Sequence, residues 1–182
     1  MQRTFSVVGG DARQQAAGRW LEKQGCTVTG AEEVYRADYI LLPMPLDAHR
    51  VGLARLLRAA RPGTVAFGGR VSEAVQAAGQ AAGIPIWDYY RCDQLAQWNA
   101  VPTAEGCLAL LLQNRPRTLW GSNVLVVDLA SEPGGTDFAA ARALGVRAMH
   151  ALSLPARFAP ETAGELVGRT VLQMIREREE GV

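Results

Sequence analysis

Residues 5–13, Phe-Ser-Val-Val-Gly-Gly-Asp-Ala-Arg (FSVVGGDAR), hold the pattern on which the fold rests. A short apolar run with two adjacent valines reads as a buried strand. Gly9 and Gly10 stop it. Asp11 then stands where a side-chain oxygen can cap the first amides of a helix. Strand, glycine turn and capped helix form the opening of a βα unit, and the chain goes on to repeat it.

The first helix is expected to run to about Gln24, with Gly25 as its stop. Cys26 to Thr29 is a weak second strand. Asp38 to Leu42 is a strong third strand, ended by Pro43 and Pro45. Residues 47–60 read as a helix whose apolar face includes Val51, Leu53, Leu56 and Leu57, broken by Arg61-Pro-Gly63. Thr64 to Phe67 is a fourth strand, followed by Gly68-Gly69. Ser72 can cap a helix ending at Gly83, and Ile84 to Trp87 is a fifth strand. No hairpin signal of the Asn-Gly or Asp-Gly type interrupts the series. Strands alternating with helices in this way specify an α/β fold with a doubly wound parallel sheet.

The second half is less regular. A helix is expected from about Cys92 to Trp98, and a second from Pro102, a residue suited to a first turn, to about Gln113. Asn123 to Ala130 is a strand. Thr136 can cap a helix ending at Gly145, and Val146 to His150 is a short strand. A last helix should span Glu161 to about Glu179. The reading gives a first domain over residues 1–90. Residues 91–182 hold connecting helices, a short βαβ extension and a C-terminal helix packing back on that domain.

Bulk composition narrows the function. The chain has 182 residues, 48% hydrophobic, with a formal net charge of +1. That is enough for a sizeable core and leaves no basic field for nucleic acid. Eighteen of the nineteen basic residues are arginine, which fits compositional bias better than a function. Three cysteines with no paired or zinc-like spacing fit a reduced, cytoplasmic protein. No secretory signal or membrane span is expected.

Ligands of open α/β sheets bind at the carboxyl ends of the strands. Two turns there carry the same chemistry. Gly9-Gly10-Asp11-Ala12-Arg13 lets backbone approach a ligand and sets an arginine behind it, able to grip a carboxylate. Gly68-Gly69-Arg70-Val71-Ser72 repeats the pattern. Together they suggest a small anionic ligand such as a dicarboxylate. The alternative is that both are tight turns with solvated arginines. Neither is a Walker loop or a dinucleotide fingerprint. Asn99, Thr103 and Glu105 gather around the expected helix start at Pro102. Glu105 can serve there as a general base or ligand anchor, or simply complete a capping box. His49 reads as exposed on a helix, and His150 as a satisfied core group. No metal-ligand spacing is present.

Four motifs in order carry a resemblance. They are Gly9-Gly-Asp-Ala-Arg-Gln14, Asn99-Ala-Val-Pro-Thr-Ala-Glu-Gly106, Asp128-Leu-Ala-Ser-Glu-Pro-Gly-Gly-Thr-Asp-Phe138, and Leu154-Pro155 followed by Ala159-Pro-Glu-Thr-Ala-Gly164. In these the protein resembles the A-chain family of bacterial dipicolinate synthases. The resemblance implies a flavodoxin-like N-terminal domain, an NAD(P)-binding Rossmann domain and a flavoprotein-like second component of the synthase as partner. It also implies a small cyclic dicarboxylate from the lysine pathway as substrate, and a role in sporulation.

The departures from that family are as informative. No G-x-G-x-x-G occurs in the 182 residues. The strand at Asn123–Val126 runs directly into the Asp128 motif, where the family interposes several βα units. Most of the nucleotide domain is therefore read as deleted, with its first and last strands merged. Glu132 stands where the family tends to carry arginine, and Ser153-Leu-Pro-Ala156 where it carries a Gly-Leu-Pro-Gly run. Asp128, Ser131, Gly134 and Gly135 are then a vestige of the cofactor edge. This form is expected to bind no NAD(P) of its own and to act as a substrate-binding or subunit-interaction lobe. The other reading is an active oxidoreductase working with the flavoprotein-like partner. The unbroken apolar run Val124–Val127 wants both faces covered, so self-association is expected.

Overall fold

The computed structural model describes residues 2–44, 46, 52–113, 125–130 and 133–181. Strands β1 (Thr4–Val7), β2 (Thr27–Thr29), β3 (Tyr39–Leu41), β4 (Val65–Gly68) and β5 (Ile86–Asp88) form one sheet in the order β2-β1-β3-β4-β5. Every neighbouring pair is parallel. This is the flavodoxin-like order of a doubly wound α/β protein, as expected.

The helices are α1 (Ala12–Lys23), α2 (Leu53–Ala59), α3 (Glu73–Ala82), α4 (Asp93–Gln113), α5 (Phe138–Ala143), α6 (Leu154–Phe158) and α7 (Pro160–Glu180). Local chemistry sets several of their ends. The Asp11 carboxylate accepts the Gln14 amide at 2.9 Å and starts α1. Ser72 caps α3, and Gly83 ends it in the left-handed conformation that only glycine adopts without strain. The expected start of α2 at Asp47 lies outside the described residues, as does His49. A 3₁₀ segment, Ala31–Arg36, fills the connection between β2 and β3, which the sequence pattern did not specify.

By contact the chain divides into two units, residues 1–99 with 160–182, and residues 100–159. The division falls beyond residue 90 and returns the last helix to the first unit. In that unit the alternation of the strands feeds two cores. Phe5, Leu41 and Phe67 face α1 and α7, where they meet Leu21, Val167, Val171, Leu172 and Ile175. Ile40, Leu42, Ala66 and Ile86 face Leu53, Leu57 and Val75 from α2 and α3. Fully burying side chains of this size stabilises by about 1.5–3 kcal/mol each. In the second unit, β6 (Leu125–Asp128) pairs in parallel with β7 (Arg147–His150) across α5, a βαβ element. Leu110, Ala151 and Leu154 form its small core.

The expected pair of helices around Pro102 is one helix. Helix α4 is continuous from Asp93 to Gln113 with Pro102 inside it. Proline removes one helical hydrogen bond and crowds the carbonyl four residues back. Packing on both sides of it offsets that cost: Leu95 is buried in the first unit and Leu110 in the second. The capping-box reading of Glu105 fails with the helix start it needed. Thr136, expected to cap α5, is likewise displaced by Asp137, whose carboxylate accepts the amides of Ala139 and Ala140.

Helix α7 lies on α1 at backbone distance. A Cβ on Gly164 would come within 2.5 Å of Ala16 Cβ and 2.7 Å of the Ala17 nitrogen, and one on Gly168 within 2.8 Å of the Trp20 ring. Gly164→Val should therefore destabilise the first unit by about 3 kcal/mol in urea unfolding. Gly10→Ala, where nothing lies within 4 Å, should change it by less than about 0.5 kcal/mol.

Candidate functional site

In a β2-β1-β3-β4-β5 sheet the strand order reverses between β1 and β3, and the crevice at that switch point is the favoured ligand position. Here β1 ends in Val8-Gly9-Gly10 and β3 in Leu42-Pro43-Met44. Gly9 has φ +103, and a Cβ on it would sit 3.1 Å from Pro43 Cβ, so the turn needs glycine. Gly10 and Asp11 are exposed.

The first turn of α1 reaches back across the crevice. Gln14 is buried and donates from Nε2 to the Leu41 carbonyl at 2.9 Å. Arg13 is only 7% exposed and donates from Nη2 to the Met44 carbonyl. Its Nε is buried without a hydrogen-bond partner among the described residues. No described carboxylate pairs with it. A mere tight turn would leave this arginine in solvent; instead it is a buried cation in the crevice.

Tyr89 joins it from the end of β5. The side chain is fully buried, and its hydroxyl has no hydrogen-bond partner among the described residues. Burial pushes the phenol up, with the Arg13 charge opposing. Gly69 makes room for this ring: a Cβ there would meet Tyr89 Cε2 at 2.8 Å and also strike the Met44 sulfur. Arg13, Met44, Gly69 and Tyr89 therefore gather at one edge. Sequence reading missed Tyr89, because an aromatic next to a strand is ordinarily core. Its position one residue beyond β5, at the ligand edge, was the available signal.

The second glycine turn is built differently. The Asp88 carboxylate accepts the amides of Arg70 and Val71, both at 3.0 Å, and of Tyr90 at 2.9 Å. An internal carboxylate thus fills the place an anionic ligand would take. Gly68 and Gly69 are buried, the Arg70 side chain is exposed, and Ser72 is engaged as the α3 cap. Arg70 has φ +57, a left-handed conformation held by the Asp88 contacts.

Asn99, Thr103 and Glu105 do not converge. Asn99 and Thr103 are half-buried and one turn apart on α4. Glu105 is exposed and lies on the far side of the helix, about 200° round from Thr103 at 100° per residue.

In the second unit Asp128 is 7% exposed and accepts the amides of Ala130 at 2.9 Å, Gly135 at 2.8 Å and Thr136 at 2.9 Å. Gly134 has φ +83, and a Cβ on it would lie 2.6 Å from Asp128 Oδ2. His150 Nε2 lies 2.6 Å from the Ala130 carbonyl and ties β7 to the same loop. Ser131 and Glu132 lie outside the described residues.

These residues do not fit the pyrophosphate of a dinucleotide. That group needs free amides at a helix start. Asp128 takes those of the loop, and Asp137 takes those of Ala139 and Ala140 in α5. Among the described residues no cluster of three or more His, Cys, Asp or Glu could hold a metal, and no helix is long and apolar enough to cross a membrane.

The Ala130 amide, partly opposed by burial and reinforced by Gly135 and Thr136, holds the Asp128 carboxyl at about 2, below its ordinary 3.8. A depressed carboxyl stabilises the fold above its unfolded pKa, and that contribution is lost as the pH falls through the folded value. The Asp128 carboxyl carbon should thus titrate near pH 2 by NMR, with protection of the Gly135 amide lost between about pH 4 and 2. Asp128→Asn should lose that protection at neutral pH.

No family model matches the chain. Over 79 residues it is 36% identical to the A component of dipicolinate synthase from Bacillus subtilis (strain 168), a stretch that is 43% of this chain and 25% of that protein. The matched region is thus about a quarter of the relative's length. The crystal structure of the dipicolinate synthase A chain from Bacillus subtilis superposes with a TM-score of 0.76, covering 100% of this chain and 98% of that one at 19% identity. The structure of the same component from Bacillus halodurans gives 0.74, covering 94% and 97% at 18% identity. At these identities the superpositions show a shared fold. In fold throughout, and in sequence over part of its length, the protein resembles the dipicolinate synthase A chain.

Proposed function

We propose that the five-stranded unit holds a small cyclic dicarboxylate at the switch point between β1 and β3, as a substrate-binding and subunit-interaction lobe related to dipicolinate formation. The observation that carries this reading is the pair of buried donors at that edge, Arg13 Nε and the Tyr89 hydroxyl, both without partners among the described residues. A buried guanidinium lacking a counter-ion is costly, and an arriving carboxylate offsets that cost. Gly9 and Gly10 give the ligand room beside the backbone. Arg70 and Ser72 stand at the neighbouring turn, where Asp88 already supplies the anion, so they rank below Arg13 as ligand contacts.

The resemblance supplies the chemical class: a dihydrodipicolinate-type precursor from the lysine pathway, used in a sporulating bacterium. The three cysteines are free, a state that persists in the reduced cytoplasm. The occupied amides around Asp128 and Asp137 support a chain with no NAD(P) site of its own. The second reading, an active oxidoreductase, is supported by the likeness to one component of a synthase. It would need its cofactor from the flavoprotein-like partner. On α4, Asn99 and Thr103 stand one turn apart and Glu105 faces away from Thr103, so this reading would draw on Asn99 and Thr103 together and on Glu105 separately.

Self-association is part of the proposal. Leu125, Val126 and Val127 of β6 remain only half-buried, and α4 exposes Val101, Leu108 and Leu112 along one helical stripe.

Calorimetric titration with dipicolinate tests the site. Tyr89→Phe should weaken binding about tenfold, as for a lost hydrogen bond to a charged group, and leave the free chain as stable or more so, since its hydroxyl has no partner. Unchanged binding would overturn the assignment. NADH and NADPH should show no stoichiometric binding; tight binding of either would overturn the cofactor-free reading. Light scattering should give a mass above the monomer, reduced by Leu108→Lys with Leu112→Lys.

A further inference from the structure

A cavity of about 330 Å³ opens in the first unit toward the amino ends of β3 and β4, beneath the last turns of α7. It shares no residue with the switch-point edge, and its size falls at the lower end of small-molecule sites. Three aromatic rings line it: Tyr39 on β3, Phe67 on β4 and Trp87 on β5, with Val65 and Met174 beside them. Trp87, on the outer strand of the sheet, is 41% exposed.

The charges around the cavity select the ligand. Asp38 is engaged: it accepts the Thr4 amide at 2.8 Å and pairs with Arg61. Glu179 pairs with Arg3 at 2.5 Å. Both carboxylates already have cationic partners, which argues against a cationic guest. Arg178 is different. Its guanidinium stacks on Trp87, 5.1 Å from the ring centroid, and no described carboxylate pairs with it. Tyr39, whose phenol burial pushes up, stays a neutral hydrogen-bond donor at physiological pH.

We propose that this cavity binds a flat aromatic molecule bearing one carboxylate, its ring against Tyr39, Phe67 and Trp87 and its anion on Arg178. An aromatic body matches the apolar wall, and a single negative charge matches the one cation on the rim without a described carboxylate.

The probe is 2-naphthoate, titrated into the full chain and followed by NMR. Saturable binding is expected, with nuclear Overhauser contacts from the naphthalene protons to the rings of Tyr39 and Phe67. The cationic analogue 2-naphthylmethylamine should bind at least about tenfold more weakly. Arg178→Gln should weaken naphthoate about tenfold, while Arg178→Lys, which keeps the charge, should hold most of the affinity. Arg13→Met should leave naphthoate binding unchanged. The proposal is overturned by absent contacts to Tyr39 and Phe67 at saturation, by equal affinity for the amine, or by an Arg178→Gln variant that binds as well as the parent.

Discussion

The contact between α1 and α7 is the constraint on which the first unit depends. Gly164 and Gly168 present bare backbone to Ala16, Ala17 and Trp20, and only that closeness lets α7 reach the sheet. Once there it contributes Val167, Val171, Leu172 and Ile175 to the core over Phe5, Leu41 and Phe67. The same helix roofs the aromatic cavity. On the other side of this contact sits Arg13, in the first turn of α1. The position of the switch-point edge is therefore set from below by helix packing as much as by its own turns.

Carboxylates placed just at the ends of strands do a second job in both units. Asp88 at the end of β5 and Asp128 at the end of β6 each collect three backbone amides from the adjoining loops. Charge-assisted bonds of this kind are stronger than neutral ones. They make rigid loops, and they remove the amides from competition for outside anions. Nucleotide-binding α/β proteins leave such amides for a phosphate. Here they are neutralised from within, and the switch point, where a cation rather than a carboxylate is buried, is left as the edge with a demand for negative charge.

Much of this was legible in the residues. The five strands announce themselves as apolar runs ended by glycine or proline, and Asp11, Ser72 and Gly83 mark helix ends by chemistry that needs no tertiary context. The failures have physical causes. Pro102 reads as a beginning because local rules cannot see Leu95 and Leu110 holding the helix on either side. Glu105 was drawn into a site by that false start. Arg13 and Arg70 look alike in sequence, each shortly past a glycine pair. Only the fold buries one in the crevice and leaves the other in solvent. Asp88 and Tyr89, the pair that closes one turn and completes the other edge, carry no motif at all.

The return of α7 to the first unit has a consequence for how the chain is made. Residues 100–159 are synthesised before the helix that finishes the first core. Until that helix is made, the sheet side chains that Val171 and Leu172 cover in the folded core lack this partner. The second unit, closed by short-range pairing of β6 with β7, can settle earlier. Completion of the first unit is thus deferred until Pro160–Glu180 has been made, and chaperone contact during that interval is the exposure this topology creates.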